Sequence, residues 1–315
     1  MTGVKRVLAV GYSQTGQLTQ LLNSVLGPLQ AAEGIEVTTV PLTPLKEEPF
    51  PWPFWYFFDT FPESVHLDPR PIDESVLPEG DFDLVIFAYQ VWFLSPSMPA
   101  TAFLKSARGR RLLAGKPVVT LIGCRNMWLM AQETMKRELE AIGARLVDNI
   151  VLTDSAHSAF TFVSTPAWML TGNRGPFLGG LIPAAGISAD DIAQAERFGR
   201  AIAQQLPTRS PDDDSPMCTG LGAVKINERL IASERFAHRS FRLWGALLRR
   251  LGRPGAPQRR IVLGLYVVFL VTMILTVIPI SAVIKRLIAP FTRERVMRQR
   301  AYFAAPSGES AELKD

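Results

Sequence analysis

The residues best placed to do chemistry lie in the turn after the first apolar run of the chain. Residues 7–10 are apolar, the turn carries Ser13, Thr15 and Gly16, and apolar residues then return at helical spacing as far as Leu26. A strand, a small-residue turn and a helix start bring unpaired backbone N–H groups and hydroxyls around an anion. We therefore predict a phosphate site; a polar turn that holds nothing is the alternative.

The composition of this turn narrows the ligand. It has no lysine, which excludes a Walker A loop, and no G-x-G-x-x-G pattern, which excludes the dinucleotide fingerprint. Hydroxyl donors without lysine suit a phosphate monoester. The predicted contacts in this turn are Ser13, Gln14, Thr15, Gly16, Gln17, Leu18 and Thr19.

Further apolar runs indicate the elements that position the turn. Strands are predicted at residues 35–40, 83–89, 117–123 and 145–152, and helices at 127–142 and, after the N-cap Ser188, up to 206. Five strands alternating with helices predict an α/β fold with a doubly wound five-stranded parallel sheet. Ligands bind at the carboxyl ends of such strands. Loops 11–19, 90–99 and 123–128 are therefore expected to meet there.

The turn YSQTGQL resembles the phosphate loop of flavodoxin-like proteins, approximately [ST]-x-T-G-x-[ST]. Ser13, Thr15 and Gly16 match, whereas Leu18 departs and Thr19 follows it. The second loop, YQVWFLSPSMP, is similar to the segment that covers the isoalloxazine ring, and GCRNMWLMAQETM resembles the ring-edge loop of flavodoxin-like quinone reductases. The resemblance covers residues 4–206, within a domain predicted at 1–206. It implies strand order 2-1-3-4-5, FMN as cofactor, and contacts from Gln90, Val91, Trp92, Phe93, Gly123, Cys124, Arg125, Asn126 and Trp128.

Two segments exceed what an electron carrier needs. Residues 49–66 are dense in aromatic rings, contain four prolines and have no helical or strand period. We interpret them as an apolar lid over the flavin or a mouth toward a bilayer; a dimer interface or an aromatic plug on the sheet is the alternative. Residues 157–186 form a second irregular stretch at the same edge. Together the two segments predict a pocket for a lipophilic small molecule.

Candidate catalytic groups are few. His157 lies on a loop near the predicted flavin edge, and Tyr12 and Tyr89 end their strands. Arg125 would hold the reduced flavin edge or a substrate carboxylate, or else make a surface ion pair. Cys124 is expected to be buried. The three histidines and two cysteines lack metal-ligand spacing, so no metal is expected.

Charge divides the chain. Residues 1–224 carry 17 Lys and Arg against 23 Asp and Glu, whereas residues 225–260 carry 10 against 2. We predict a linker at 207–224 and a basic amphipathic helix at 225–260, with Ala237, Phe241, Trp244, Leu248 and Leu251 on one face. Such a helix favours an anionic membrane surface over nucleic acid; packing on the domain is the alternative.

Residues 261–284 carry no charge over 24 residues, enough to cross a hydrocarbon core of about 30 Å. We predict either a spanning helix or, with a break at Pro279, a re-entrant one. Both flanks are basic, with Arg259 and Arg260 before and Lys285 and Arg286 after, and residues 285–315 form a basic, then polar tail. The first apolar run is too short for a signal peptide, so the flavin domain is expected on the cytoplasmic side of the cytoplasmic membrane.

The whole arrangement resembles the dialkylresorcinol-condensing enzyme family. That resemblance implies aromatisation of a lipophilic cyclohexanedione precursor supplied by a partner ketosynthase. We therefore expect a membrane-anchored FMN oxidoreductase, with a homodimer as one possible assembly. Two alternatives remain open: an NAD(P)H:quinone reductase at the membrane, and a membrane-tethered electron-transfer flavodoxin.

Overall fold

A computed structural model of the chain describes residues 3–154, 156 and 158–309. Its strands are β1 (Lys5–Gly11), β2 (Ile35–Pro41), β3 (Leu84–Trp92), β4 (Ser95–Pro96), β5 (Pro117–Cys124) and β6 (Arg145–Thr153). All but β4 are parallel and lie in the order β2-β1-β3-β5-β6, and β4 pairs antiparallel with the end of β3. The predicted five-stranded parallel sheet is confirmed. Its order is also the expected 2-1-3-4-5, because the short antiparallel β4 shifts the numbers of the last two parallel strands to β5 and β6.

Helices cover both faces of this sheet. The helices of the described residues are α1 (Gln17–Ala31), α2 (Phe54–Val65), α3 (Met98–Lys105), α4 (Ala107–Leu113), α5 (Leu129–Ile142), α6 (Ser158–Thr171), α7 (Ala189–Gln194), α8 (Glu196–Gln205), α9 (Glu228–Arg250), α10 (Pro257–Leu275) and α11 (Val277–Ala304). One core contains residues of α1 and α8, and the opposite core contains residues of α3, α4 and α5. Residues 84–89 of β3 are buried between these layers, which explains their unbroken apolar run.

The two segments that we predicted to be irregular contain helices, α2 and α6, and that part of the prediction was wrong. In α2, Phe61 and Val65 are buried, while Phe54 and Trp55 in the first turn are exposed. Because both sides of the helix are aromatic or apolar, the sequence has no contrast from which a helical period can be read. Pro53 immediately precedes the helix as its N-cap and Pro62 lies inside it, so the prolines of this segment do not exclude a helix.

The segment predicted as a linker is packed against the sheet edge. Met217, Cys218 and Ala223 are buried. The N–H of Val151 donates to the carbonyl of Ala223 at 2.7 Å. The Asp148 carboxylate accepts the N–H groups of Met217 at 2.8 Å and Cys218 at 3.2 Å. The edge strand β6 is thereby covered, which satisfies backbone and side-chain groups that a free linker would leave open.

The apolar face that we predicted for the basic helix is real, but its partner is protein. In α9, Leu248 is buried in a cluster with Phe61 and Tyr266, and Phe241 and Trp244 pack beside them. This face therefore lies on α2 and α10, as in the alternative that the sequence left open, and not flat on a headgroup layer. Other apolar residues of α9, Phe236 and Leu243, remain exposed.

Helices α10 and α11 lead away from the domain and back to it, and we call this pair of helices the excursion. Among the described residues, one stretch, Pro257–Ser281, is long and apolar enough to cross a membrane, with a mean hydropathy of 2.8. The break lies at Thr276, between the two helices, and not at Pro279 as predicted. At the far end of α11, Phe303 is buried and the Ser307 hydroxyl donates to Asp148 at 2.7 Å. Both ends of the excursion are thus attached to one body.

Candidate functional site

The three predicted loops meet at the carboxyl edge of the central strands. Gly11 at the end of β1 pairs with Ala88 of β3, and Gln90 of β3 pairs with Gly123 of β5. The Gln14 N–H donates to the Gln90 side-chain oxygen at 3.2 Å, which links the first loop to the second. The predicted convergence of the loops is confirmed.

The first loop has the geometry of an anion cradle. Gly16 is the N-cap of α1 with φ of 79°, a left-handed conformation that favours glycine. The Ser13 hydroxyl accepts the Leu18 N–H at 3.1 Å. Within the described part of the chain, no acceptor meets the N–H groups of Thr15, Gly16, Gln17 and Thr19. Four unpaired donors at the start of a 15-residue helix fit a phosphate.

Three side chains of this loop bind protein instead. The Gln17 amide donates to the Ile187 carbonyl at 3.0 Å and accepts the Ile187 N–H at 3.1 Å. The Gln14 amide donates to the Pro49 carbonyl at 3.0 Å, and the Leu18 side chain is buried. The side chains of these residues hold the covering segments in place. The N–H groups of Gln14 and Leu18 are donated to Gln90 and Ser13, so of the three residues only Gln17 has a backbone N–H positioned for the ligand that we predicted.

The second loop is a two-residue hairpin turn joining β3 to β4. Phe93 and Leu94 both have positive φ, 49° and 61°, as in the turns favoured by right-twisted hairpins. Non-glycine residues adopt this region at a cost of about 1–2 kcal/mol each. The strained turn projects Phe93 from the sheet edge, where its ring centroid lies 5.0 Å from that of Phe57.

Aromatic residues of the segment around α2 cover this hairpin. The ring centroid of Trp92 lies 5.2 Å from that of Trp52 and 6.0 Å from that of Tyr12. Trp52 is 2 % exposed, and its backbone N–H donates to the Met169 carbonyl of α6 at 2.8 Å. The segment therefore lies over the second loop, a position shared by the lid and the plug interpretations. Val91 packs against the core on the other side.

The third loop is held by its neighbours. The Arg125 Nε donates to the Thr161 hydroxyl of α6 at 2.6 Å. Burial lowers the pKa of Arg125 to about 10, against the opposing effect of Asp154. Burial also raises the pKa of the Cys124 thiol, so Cys124 is no reactive thiolate. Trp128 is 2 % exposed inside the core, while Asn126 lies in the loop between these residues.

The structure changes the set of candidate catalytic residues. Tyr89 is fully buried and donates to the Gln132 side chain at 2.6 Å beneath the sheet, so its assignment as a catalytic residue was wrong. Its position at the end of an apolar strand placed its ring in the core. His157 lies outside the described residues. Tyr12 remains beside the anion cradle, and burial, with Glu48 nearby, raises its pKa.

A polar cluster that sequence reasoning missed lies next to Tyr12. The buried Glu48 carboxylate accepts the Tyr56 hydroxyl of α2 at 3.0 Å, and the Arg70 guanidinium contacts both groups. No local pattern could have revealed it, because its members come from a loop, from α2 and from the chain after α2. The cluster ties α2 to the loop edge by charge-assisted hydrogen bonds.

A second missed residue, Glu234 of α9, caps the helix that follows the third loop. Its carboxylate accepts the Met130 N–H at 2.7 Å at the start of α5. Glu234 is 0 % exposed, and burial raises its pKa to about 8, against the effect of the hydrogen bonds from Met130 and Leu129. Glu234 thus connects the C-terminal helices to the edge of the candidate site.

No protein-family model and no curated protein matches the sequence. Among solved structures, the chain is similar to a flavodoxin from the domain Archaea, with 9 % identity, TM-score 0.35, and coverage of 65 % of this chain and 99 % of that one. A flavoprotein in complex with FMN from Lactobacillus acidophilus has 14 % identity, TM-score 0.36, and coverage of 47 % and 93 %. Flavodoxin 1 from Bacillus cereus has 14 % identity, TM-score 0.33, and coverage of 62 % and 95 %. These values are too low for the likeness to indicate an activity.

Proposed function

We propose that the protein is a membrane-attached FMN oxidoreductase that acts on a lipophilic ring substrate. The observation that carries this proposal is the anion cradle at the carboxyl edge of β1. It lies directly beside the aromatic segment around α2 that covers the second loop, which we call the aromatic cover. The hydroxyls of Ser13 and Thr15 and the N–H groups of Gly16, Gln17 and Thr19 would hold the phosphate of FMN. When bound, FMN supplies a reversible acceptor for hydride.

The residues around the cradle would bind and orient the substrate. Trp52 and Trp92 pack against each other and would exclude water, and the half-buried Phe93 would offer apolar surface to an alkylated ring. Tyr12 keeps its proton, because burial raises its pKa, and would donate a hydrogen bond to a substrate oxygen. Arg125 would hold a substrate carboxylate.

The reaction that we favour is aromatisation of an alkylated cyclohexanedione carboxylate to a dialkylresorcinol, with a ketosynthase supplying the precursor. In this step the ring loses its carboxylate as CO2 and one hydride, so it needs a hydride acceptor and O2 as the oxidant that regenerates that acceptor. The apolar cover supports a lipophilic substrate. NAD(P)H-dependent quinone reduction is the second candidate, and it would use the same apolar surface. A simple electron carrier is less suited, because the second loop lies beneath α2.

Membrane attachment is part of the proposal. Helices α10 and α11 would enter the bilayer and return on the same side, because both ends of the excursion pack on the domain. Exposed apolar residues support this, among them Leu265, Val268 and Phe291. The proposal also assigns the flavin domain to the cytoplasmic side.

The test measures FMN binding by the full chain in a neutral detergent, through the quenching of FMN fluorescence. We expect a 1:1 complex whose dissociation constant rises about tenfold in Ser13→Ala, the loss of one good hydrogen bond, and more in Gly16→Val. Gly34→Val is a matched control, because Gly34 also has positive φ and a Cβ added to either glycine would meet no heavy atom nearby. Failure to bind FMN would rule out the oxidoreductase.

The substrate is tested separately with the flavin-loaded chain. Conversion of an alkylcyclohexanedione carboxylate to a resorcinol, followed by mass spectrometry, is expected under aerobic conditions. Rapid reduction of a membrane quinone by NADPH, with the dione left unchanged, would replace aromatisation by the quinone reductase. Absence of both activities in a flavin-loaded protein would favour the electron carrier.

A further inference from the structure

Away from the cradle, a basic groove lies between α5, α9 and α11. It comprises two adjoining clefts of about 550 and 440 Å³, which share Arg235. These volumes are in the range of small-molecule sites. The arginines that line the groove come from three helices: Arg137, Arg235, Arg239, Arg242, Arg295 and Arg298. We refer to this surface as the basic groove.

The positive charge of the basic groove is poorly neutralised. Among the described residues, Arg298 is the one groove arginine with an ion pair, at 2.8 Å from Glu294. Glu133, the acidic residue of the lining, is engaged by Lys136 at 3.1 Å and by the Tyr302 hydroxyl at 2.8 Å. Guanidinium groups gathered without carboxylates repel one another, so the groove favours an anion that bridges them.

Neighbouring arginines outside the groove behave differently. Arg300, on the same helix, is paired with Glu228 at 3.1 Å and with Glu309 at 2.5 Å. Arg249, on α9, is paired with Asp68 at 2.7 Å. What distinguishes the groove is that six arginines from three helices lie together with one ion pair among them in the described part of the chain.

One face of α11 connects the basic groove to exposed apolar surface. Leu287, Phe291, Arg295 and Arg298 follow one another at spacings of four, four and three residues, which places them on one side of the helix. Leu287 is 71 % and Phe291 90 % exposed. On α9, the exposed Phe236 and Leu243 stand next to Arg235 and Arg242 in sequence. A ligand that matches this face has an anionic end and an apolar end.

We propose that the basic groove binds the phosphate of an anionic phospholipid, with an acyl chain along Leu287 and Phe291. A soluble phosphate compound would use the arginines but leave the apolar continuation of the face unmatched. This inference rests on the proposed membrane attachment, and it is independent of the flavin chemistry. The bound lipid would bridge α9 and α11 and so secure the return of the helical excursion to the domain.

The experiment measures lipids retained by the full chain in dodecyl maltoside, by native mass spectrometry, after addition of equal amounts of phosphatidylglycerol and phosphatidylcholine. We expect preferential retention of phosphatidylglycerol. The triple variant R239Q/R242Q/R295Q should lower this retention at least about tenfold, because each arginine near an anionic lipid contributes substantially to binding. The three side chains are exposed, so their replacement should leave the fold intact.

The matched control is R110Q/R111Q/R200Q, which removes the same charge from exposed positions on α4 and α8. We expect the control to retain phosphatidylglycerol like the unmodified chain. Equal loss in both triple variants, or equal retention of the two lipids, would overturn the proposal. So would binding of inorganic phosphate or of a short oligonucleotide at the groove with no retained lipid.

The same samples separate this inference from the proposed function. FMN content is measured beside lipid retention in each variant. A chain that retains phosphatidylglycerol but binds no FMN would contradict only the oxidoreductase. A chain that binds FMN and retains phosphatidylglycerol no better than phosphatidylcholine would contradict only the basic groove proposal.

Discussion

The Nε of Arg259 lies 2.6 Å from a carboxylate oxygen of Asp59, and the Arg259 side chain is 1 % exposed. A second nitrogen lies 2.6 Å from Glu63. The arginine belongs to the first turn of α10 and both carboxylates belong to α2, so this pair joins the apolar excursion to the aromatic cover. The residue that the sequence indicated as a membrane-flanking charge is thus a buried link between helices.

The first prediction concerns this link. Arg259→Met should lower the free energy of unfolding by about 3–5 kcal/mol, because it leaves two carboxylates without their partner. Thermal unfolding in detergent measures the change. Arg260→Met is the control: its guanidinium lies over the Trp55 ring, 5.3 Å from the centroid, and its loss should cost about 1 kcal/mol or less. Equal effects of the two substitutions would contradict the assignment.

The second prediction is a pH dependence from Glu234. Its pKa is raised from 4.5 to about 8 in the folded chain, so the folded state holds a proton that the unfolded state releases. Stability from this group is therefore full below about pH 4.5, falls as pH rises, and is lost above about pH 8. The total is on the order of 4 kcal/mol.

Unfolding of the unmodified chain and of Glu234→Gln at pH 5, 7 and 9 checks this dependence. The variant should be less sensitive to pH over this range, and Glu140→Gln, an exposed control on α5, should follow the unmodified chain. Parallel pH profiles for all three proteins would show that Glu234 ionises like an ordinary surface carboxylate.

The third prediction distinguishes two tyrosines. Tyr12→Phe should reduce turnover about 100-fold with FMN content unchanged, because it removes the proposed donor to the substrate. Tyr89→Phe should leave turnover near that of the unmodified chain and cost about 1 kcal/mol of stability, because Tyr89 donates only to Gln132 in the core. Steady-state kinetics and thermal unfolding of both variants give the answer. The opposite pattern would return Tyr89 to the catalytic set.

The fourth prediction concerns the path of the excursion through a bilayer. Arg253→Cys and Ala305→Cys lie just before α10 and just after α11, at exposed positions. In oriented vesicles, both should react with an impermeant maleimide from the same side, whereas Leu275→Cys, near the turn, should be protected from both. The native cysteines do not interfere, because burial raises the pKa of both thiols. Reaction of the two flanking positions from opposite sides would mean a single spanning helix.

Local sequence was sufficient for much of the fold and for the cradle. The apolar runs of β3 and β5 indicate strands covered on both faces, and the Ser13–Gly16 turn combines its hydroxyls and its left-handed glycine within a few residues. The helix 188–206 was likewise indicated by its Ser188 cap, although the structure divides it into α7 and α8. Each of these features depends on neighbours in sequence, so its pattern is readable along the chain.

The rest depended on contacts between distant residues. The helix α2 has aromatic residues on both its buried and its exposed side, so no contrast in the sequence marked it. Arg259 and Asp59 are 200 residues apart, and Glu234 and Met130 are 104 apart. From sequence alone, a charge beside an apolar run is interpreted as the flank of a membrane span, and a glutamate on a basic helix is interpreted as a solvent-exposed side chain. Only the distant partner shows that both side chains are buried.

The sequence by itself thus determined the strands of the sheet and the anion cradle at the end of β1, because apolar periodicity and turn chemistry act over a few residues. The strand order was implied by the resemblance to flavodoxin-like proteins. Only the tertiary structure decided that α9 packs on protein, that the predicted linker covers β6, and that α10 and α11 return to the domain. Those outcomes follow from burial and charge pairing between segments far apart in the chain, which no local pattern encodes.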